Sequence, residues 1–337
     1  MNEEHILKLR ELQQSLPLFT AEFFRGITDY TLVQTRLAYA YDLKLFFTYL
    51  SEEVLHKGLR DFTIEDLSGL TKSDIENFMD YLTYYLREEV AVQNEATGKS
   101  RKLAAVRSMF KYFYGKEKLP ANPAELVSFP KLREKSITTL EPDEVARLLD
   151  MVESGEKLTK KQSEYHEQTK DRDVALITLL LGTGMRVSEC VGLNILDLDF
   201  ETGGAKVIRK GGNEVILYFG REVEEALLPY LIRREDIEAK EGHEEALFLS
   251  MQRRRITPRA VQKLVKKYAS LVTTIKNISP HKLRSTFGTQ LYQETQDIYL
   301  VANVLGHADV NTTRKHYAKM DESQRRRAAN SIKLRRD

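Results

Sequence analysis

The chain has 337 residues, 42% of them hydrophobic, with 52 Lys+Arg against 50 Asp+Glu and one cysteine, Cys190. That length implies about two globular domains, and the composition excludes a collagenous, low-complexity or mainly disordered chain. Apolar stretches such as 174–182 fall far short of a spanning helix, the acidic start Met1-Asn2-Glu3-Glu4-His5 is unlike a signal peptide, and a lone cysteine fits a reducing compartment. A cytoplasmic location without a membrane partner is expected.

In chain order, residues up to about 131 read as helices. Residues 30–49 carry Leu37, Tyr41, Leu45 and Phe46, and 99–114 carry Leu103, Val106, Phe110 and Phe113, each at a helical period that marks a bundle core. Pro120, Pro123 and Pro130 and a polar stretch then predict a boundary. The expected domains are 1–131 and 140–319, joined by a linker 132–139 and followed by a tail, 320–337. Pro142 with Asp143 and Glu144 opens a helix, and the charged residues 153–170 predict an exposed loop before an apolar helix at 174–181. Two β-branched runs, 206–208 and 215–219, flank Gly211-Gly212 and predict a hairpin. Thr257-Pro258 and Ser279-Pro280 predict helix starts, Gly306 a helix stop and Asp309 the next start. The fold class is therefore mainly α: an all-helical first domain and a mostly helical second domain with a small antiparallel β-sheet.

A net charge of +2 argues at first against nucleic acid, but the charge is segregated. Residues 99–118 hold seven bases and one acid, and 251–284 hold ten bases and no acid. The tail adds Arg325, Arg326, Arg327, Lys333, Arg335 and Arg336. The cations expected to meet DNA are Lys99, Arg101, Lys102, Arg107 and Lys111 in the first domain. In the second they are Arg209, Arg253, Arg254, Arg255, Arg259 and Lys282.

His281 and Arg284 lie three apart at a helix start, where free N–H groups favour a phosphate. Gly182-Thr183-Gly184 follows an apolar helix and lacks a third glycine, which excludes a dinucleotide fingerprint; the scattered His residues exclude a zinc site. The chemistry-bearing residues form an ordered set: Arg186 with Glu189, Lys210 at the hairpin tip, His281-Lys282-Leu283-Arg284, Leu305-Gly306-His307, and Tyr317. In this order they resemble the tyrosine recombinase (phage integrase) family. The absence of a separate arm-binding domain looks like the Xer type, and the sequence is most similar to the single-protein Xer recombinases of Gram-positive bacteria. Two departures stand out. The family's common Gly-Lys-Gly hairpin is here Arg209-Lys210-Gly211, so Arg209 competes with Lys210 for the family role, and Ser285 and Gly288 replace residues more often His and Ala.

The resemblance implies a core-binding, SAM-like first domain, a recombinase catalytic second domain, and two domains closing on duplex DNA. Arg186 and Arg284 would fork onto the scissile phosphate, as lysine cannot. Tyr317 would be the nucleophile, His281 would move its proton, Lys210 would protonate the leaving 5′-oxygen, and His307 would hydrogen-bond the phosphate. Glu189 would orient His281 or another site residue. The product would be a 3′-phosphotyrosine, with no ATP, metal or other cofactor. Implied partners are a duplex recombination site, a homotetramer on two such sites whose tails dock on neighbouring protomers, and a DNA translocase or other accessory protein. The implied role is chromosome-dimer resolution; alternatives are an integrase or resolvase of a mobile element, a type IB topoisomerase, or a non-catalytic DNA-binding regulator.

Overall fold

The chain divides into two units, Met1–Lys135 and Ser136–Asp337; the computed structural model describes residues 2–87, 89–132, 138–209, 211–307, 309–310 and 313. The first unit holds α1 (Asn2–Gln14), α2 (Thr20–Gly26), α3 (Val33–Tyr49), α4 (Ile64–Ser68), α5 (Lys72–Tyr81), strands β1 (Tyr84–Arg87) and β2 (Val90–Gln93), and α6 (Ala96–Gly115). The aromatic stripes of α3 and α6 meet, so Phe46, Phe47, Phe110 and Phe113 are fully buried in one core. Phe46 also packs edge-on against Phe78 of α5 at 5.0 Å between ring centres. A capping box between Thr71 and Asp74 fixes where α5 begins.

The expectation of an all-helical first domain needs one amendment, because β1 and β2 form an antiparallel hairpin in register Tyr84↔Gln93 to Arg87↔Val90. Its turn contains no glycine; Glu89 takes the left-handed conformation (φ +64) instead. The usual hairpin signal is therefore missing from the sequence.

The second unit holds α7 (Pro142–Ser154), α8 (Lys160–Thr183), α9 (Val187–Gly192), strands β3 (Leu198–Asp199), β4 (Gly204–Ile208) and β5 (Glu214–Tyr218), then α10 (Arg221–Glu235), α11 (Pro258–Val272), α12 (Pro280–Thr295) and α13 (Ile298–Leu305). The exposed loop expected at 153–170 is largely helix. Thr159 and Gln162 form a capping box, and the charged residues that follow are good helix formers, so α8 runs unbroken into the apolar segment. Residues 175–181 are all buried, since α7, α10 and α12 pack around this half of α8.

The sheet has order β3-β4-β5 and is antiparallel throughout. Ala205, Val207 and Leu217 alternate inward to the core, leaving Ile208, Ile216 and Tyr218 exposed. Helices α11 and α12 start at Pro258 and Pro280, directly after Thr257 and Ser279. Gly306 ends α13 at φ +61. Among the described residues, no helix is long and apolar enough to cross a membrane.

Candidate active site

Helix and strand ends converge in the second unit, and arginines from three of them grip the end of α13. Helix α8 stops at Gly184 (φ +61), where a Cβ would collide with Phe287 of α12. Two residues on, Arg186 is the N-cap of α9. Glu189, buried in the first turn of α9, accepts the Arg186 backbone N–H at 2.8 Å and its guanidinium Nη1 at 2.8 Å. Thus Glu189 orients Arg186 directly.

Arg284 is only 5% exposed. A buried guanidinium needs acceptors, and Nη1 of Arg284 donates to the Gly184 carbonyl at 2.7 Å while Nη2 donates to the Leu305 carbonyl. Arg186 Nη2 donates to the Gly306 carbonyl at 3.1 Å. Arg209, at the end of β4, donates from Nη1 and Nη2 to the carbonyls of Asn303 and Val304, at 3.3 and 2.6 Å. Four successive carbonyls of the α13 terminus thereby receive three arginines. The Asn303 carbonyl also accepts the Gly306 N–H at 2.9 Å; terminal carbonyls of a helix have spare acceptor capacity and lie at the negative end of its dipole, so the fold itself favours cations here. Burial lowers the pKa of Arg209, and the adjacent Glu189 opposes that shift.

His307 follows Gly306 and is half-buried; its Nδ1 lies 2.7 Å from Thr313 Oγ1. Sequence reasoning does not single out Thr313, because a threonine six residues past a histidine has no distinctive pattern. His281 is exposed in the first turn of α12, three residues before Arg284. Lys210, Tyr317 and the tail 320–337 lie outside the described residues. Among the described residues, no group of three or more His, Cys, Asp or Glu is placed to hold a metal ion.

The cations expected on DNA divide into two kinds. Lys111, Arg253, Arg254 and Arg259 are exposed, and Lys282 is half-buried. Arg101 pairs with buried Asp42 at 2.6 Å, Lys99 donates to Thr83 Oγ1 at 2.6 Å, and Arg107 donates to the Glu125 carbonyl and lies over the Phe129 ring. Three of these cations are held by internal acceptors. Lys102 faces the core of its unit and donates to Asn94 Oδ1 at 2.8 Å, and burial lowers its pKa against the pull of Asp42. Arg255 turns back to the carbonyls of Val191, Gly192 and Leu193 and to Asn194 Oδ1. Arg209 is spent on α13. In each case internal acceptors hold the side chain, and a charge count along the sequence does not reveal acceptors.

Residues 138–324 match the family model described as the phage integrase family. The chain is 31% identical over 280 residues to tyrosine recombinase XerC of Thermodesulfovibrio yellowstonii, covering 79% of this chain and 88% of that protein. It is 30% identical to tyrosine recombinase XerS of Streptococcus equi subsp. zooepidemicus, covering 91% and 93%. The fold is similar to that of the XerH site-specific recombinase bound to palindromic difH substrate in a post-cleavage complex, with TM-score 0.68 and 23% identity over 89% of this chain and 80% of that one. The matched span contains the whole ordered set from Arg186 to Tyr317, and with these relatives it makes the chain a member of the phage integrase family, a site-specific tyrosine recombinase of the Xer type.

Proposed function

We propose that the protein cuts and rejoins duplex DNA with Tyr317 as nucleophile and with Arg186 and Arg284 on the scissile phosphate. The observation that carries this reading is the convergence of Arg186, Arg284 and the Gly306-His307 corner at the α13 terminus. An in-line displacement adds charge to the non-bridging phosphate oxygens, and guanidiniums already fixed by carbonyl acceptors meet that charge without reorganising. Tyr317 Oη bonds to phosphorus, its proton passes to His281, and the bond from phosphorus to the 5′-oxygen breaks. Lys210 supplies the proton that leaves with the 5′-hydroxyl. His307, oriented by Thr313, hydrogen-bonds a phosphate oxygen, and Glu189 acts by holding Arg186. The 3′-phosphotyrosine then yields to a 5′-hydroxyl of the partner duplex. One phosphoester is exchanged for another in each step, so ATP is not required.

Exposed Arg253, Arg254, Arg259 and Lys111, with Lys99, Arg101, Arg107 and Lys282, are the proposed phosphate-binding cations. The cellular role we assign is resolution of chromosome dimers in the cytoplasm, by a homotetramer on two recombination sites, with the tail docking on a neighbouring protomer and an accessory protein such as a DNA translocase setting the timing. The names of the XerC and XerS relatives support that role over an integrase or resolvase of a mobile element.

The test uses a nicked duplex carrying the DNA segment that the wild-type protein protects from nuclease. The wild type accumulates a covalent adduct and Tyr317→Phe accumulates none; an adduct with Tyr317→Phe removes the nucleophile assignment. Relaxation of supercoiled plasmids lacking that segment would favour a topoisomerase.

A further inference from the structure

We propose that Arg209 is a positioning residue: it latches the β4–β5 hairpin, which carries Lys210 in sequence, onto the end of α13 just before His307. The inference rests on the reading of Lys210 as the general acid. Arg209 is bonded in sequence to Lys210, and its two Nη groups reach the Asn303 and Val304 carbonyls one turn before His307. Gly306 makes room for it, since a Cβ there would collide with the Arg209 guanidinium. Arg209 is half-buried; its Nε is covered and finds no acceptor among the described residues, so the guanidinium lies against the end of α13 and its described hydrogen bonds are those of the two Nη groups.

Among the described residues, the hairpin offers little else to hold its tip. Gly211 and Gly212 adopt φ +98 and +86, and a Cβ on either would meet nothing within 4 Å. Ile208, just before Arg209, is 64% exposed. The tip is closed by Arg209 N–H to the Asn213 carbonyl at 2.8 Å and Gly212 N–H to the Arg209 carbonyl at 3.0 Å. Bonds inside a two-stranded tip fix its shape but not its place against the helices. The Arg209 fork does the latter, and it spans two successive carbonyls where a lysine reaches one. The arginine that departs from the family's glycine before the hairpin lysine thereby acquires a role different from that lysine's.

Two measurements on the full chain test the latch. Without DNA, Arg209→Ala should speed amide hydrogen exchange in residues 204–218 by about tenfold or more, the effect of losing charge-assisted hydrogen bonds, while α8 is unchanged. Unchanged exchange in the hairpin overturns the proposal, whatever the fate of the catalytic reading. On the same nicked duplex, Arg209→Ala should slow cleavage about a hundredfold with a 5′-oxygen leaving group. A 5′-bridging sulfur, whose thiolate departs without a proton, should restore most of the rate, as it should for Lys210→Ala. Equal slowing of Arg209→Ala on both duplexes, with Lys210→Ala restored by sulfur, overturns the latch. Failure of sulfur to restore Lys210→Ala removes Lys210 as general acid, and hydrogen exchange then decides the latch alone. If Arg209→Ala does not fold, Arg209→Lys, which keeps the charge and one donor, carries both measurements and should give smaller changes in the same direction.

Discussion

Arg186, Arg209 and Arg284 would repel one another in a bare pocket. They stand together because each is fixed to acceptors the fold must satisfy anyway, the terminal carbonyls of α13 and the Gly184 carbonyl. Glu189 is the acid of this set, with its side chain 3% exposed against Arg186. Replacing it with glutamine keeps one acceptor for the Arg186 backbone N–H but removes the charge opposite the guanidinium. Glu189→Gln should therefore lower unfolding free energy by about 1–3 kcal/mol, read from urea denaturation. It should also slow covalent-adduct formation, because Arg186 loses the partner that aims it. Unchanged stability and rate would mean that the α13 carbonyl alone positions Arg186.

At the scale of elements, α3 and α6 of the first unit hold a second charged group with measurable consequences. Asp42 is 2% exposed, and burial pushes its pKa from the ordinary 3.8 up to about 6, with Arg101 and Lys102 opposing the shift. The folded chain therefore binds a proton at Asp42 more tightly than the unfolded chain does. Between about pH 4 and 6 this favours folding at the acid end, and the contribution is lost as pH rises through 6. The stability of the wild type relative to Asp42→Asn should fall across that window and level off above it, as followed by chemical denaturation at successive pH values. A flat difference would show that Arg101 and Lys102 fully compensate the burial.

The same elements show what the sequence carries and what it conceals. Hairpin β4–β5 and the starts of α11 and α12 are legible because Gly211-Gly212, Thr257-Pro258 and Ser279-Pro280 impose backbone geometry locally. The ordered Arg, His and Gly residues of the site are legible for their chemistry. Their grip on α13 is not, since it depends on residues about 20 to 120 positions apart meeting in space. Lys102 reads as a surface cation for a similar reason: Asp42 becomes its neighbour only once α6 packs on α3, and Asn94 only once the segment before α6 folds back along the helix.

For the whole molecule, 52 bases against 50 acids give a net charge of only +2, yet duplex binding responds to where cations stand. Charges held inward contribute to the fold, and charges left outside contribute counterion release. Residues 253–255 place both kinds side by side. Arg253 and Arg254 are exposed, as is Arg259 in the first turn of α11, whereas Arg255 donates to the carbonyls of Val191, Gly192 and Leu193 and to Asn194. Neutralising Arg253, Arg254 and Arg259 together with glutamine should leave unfolding unchanged. The slope of log binding constant against log salt should then shrink by about 0.9 for each phosphate that the protein no longer neutralises. Arg255→Gln should do the reverse: it should keep the salt slope and lose about 1–3 kcal/mol of stability as carbonyls lose a charged donor. Titrations of a linear duplex at several salt concentrations, paired with urea denaturation, separate the two. If Arg255→Gln lowered the slope and spared stability, the Arg255 guanidinium would have to leave its carbonyls when DNA binds.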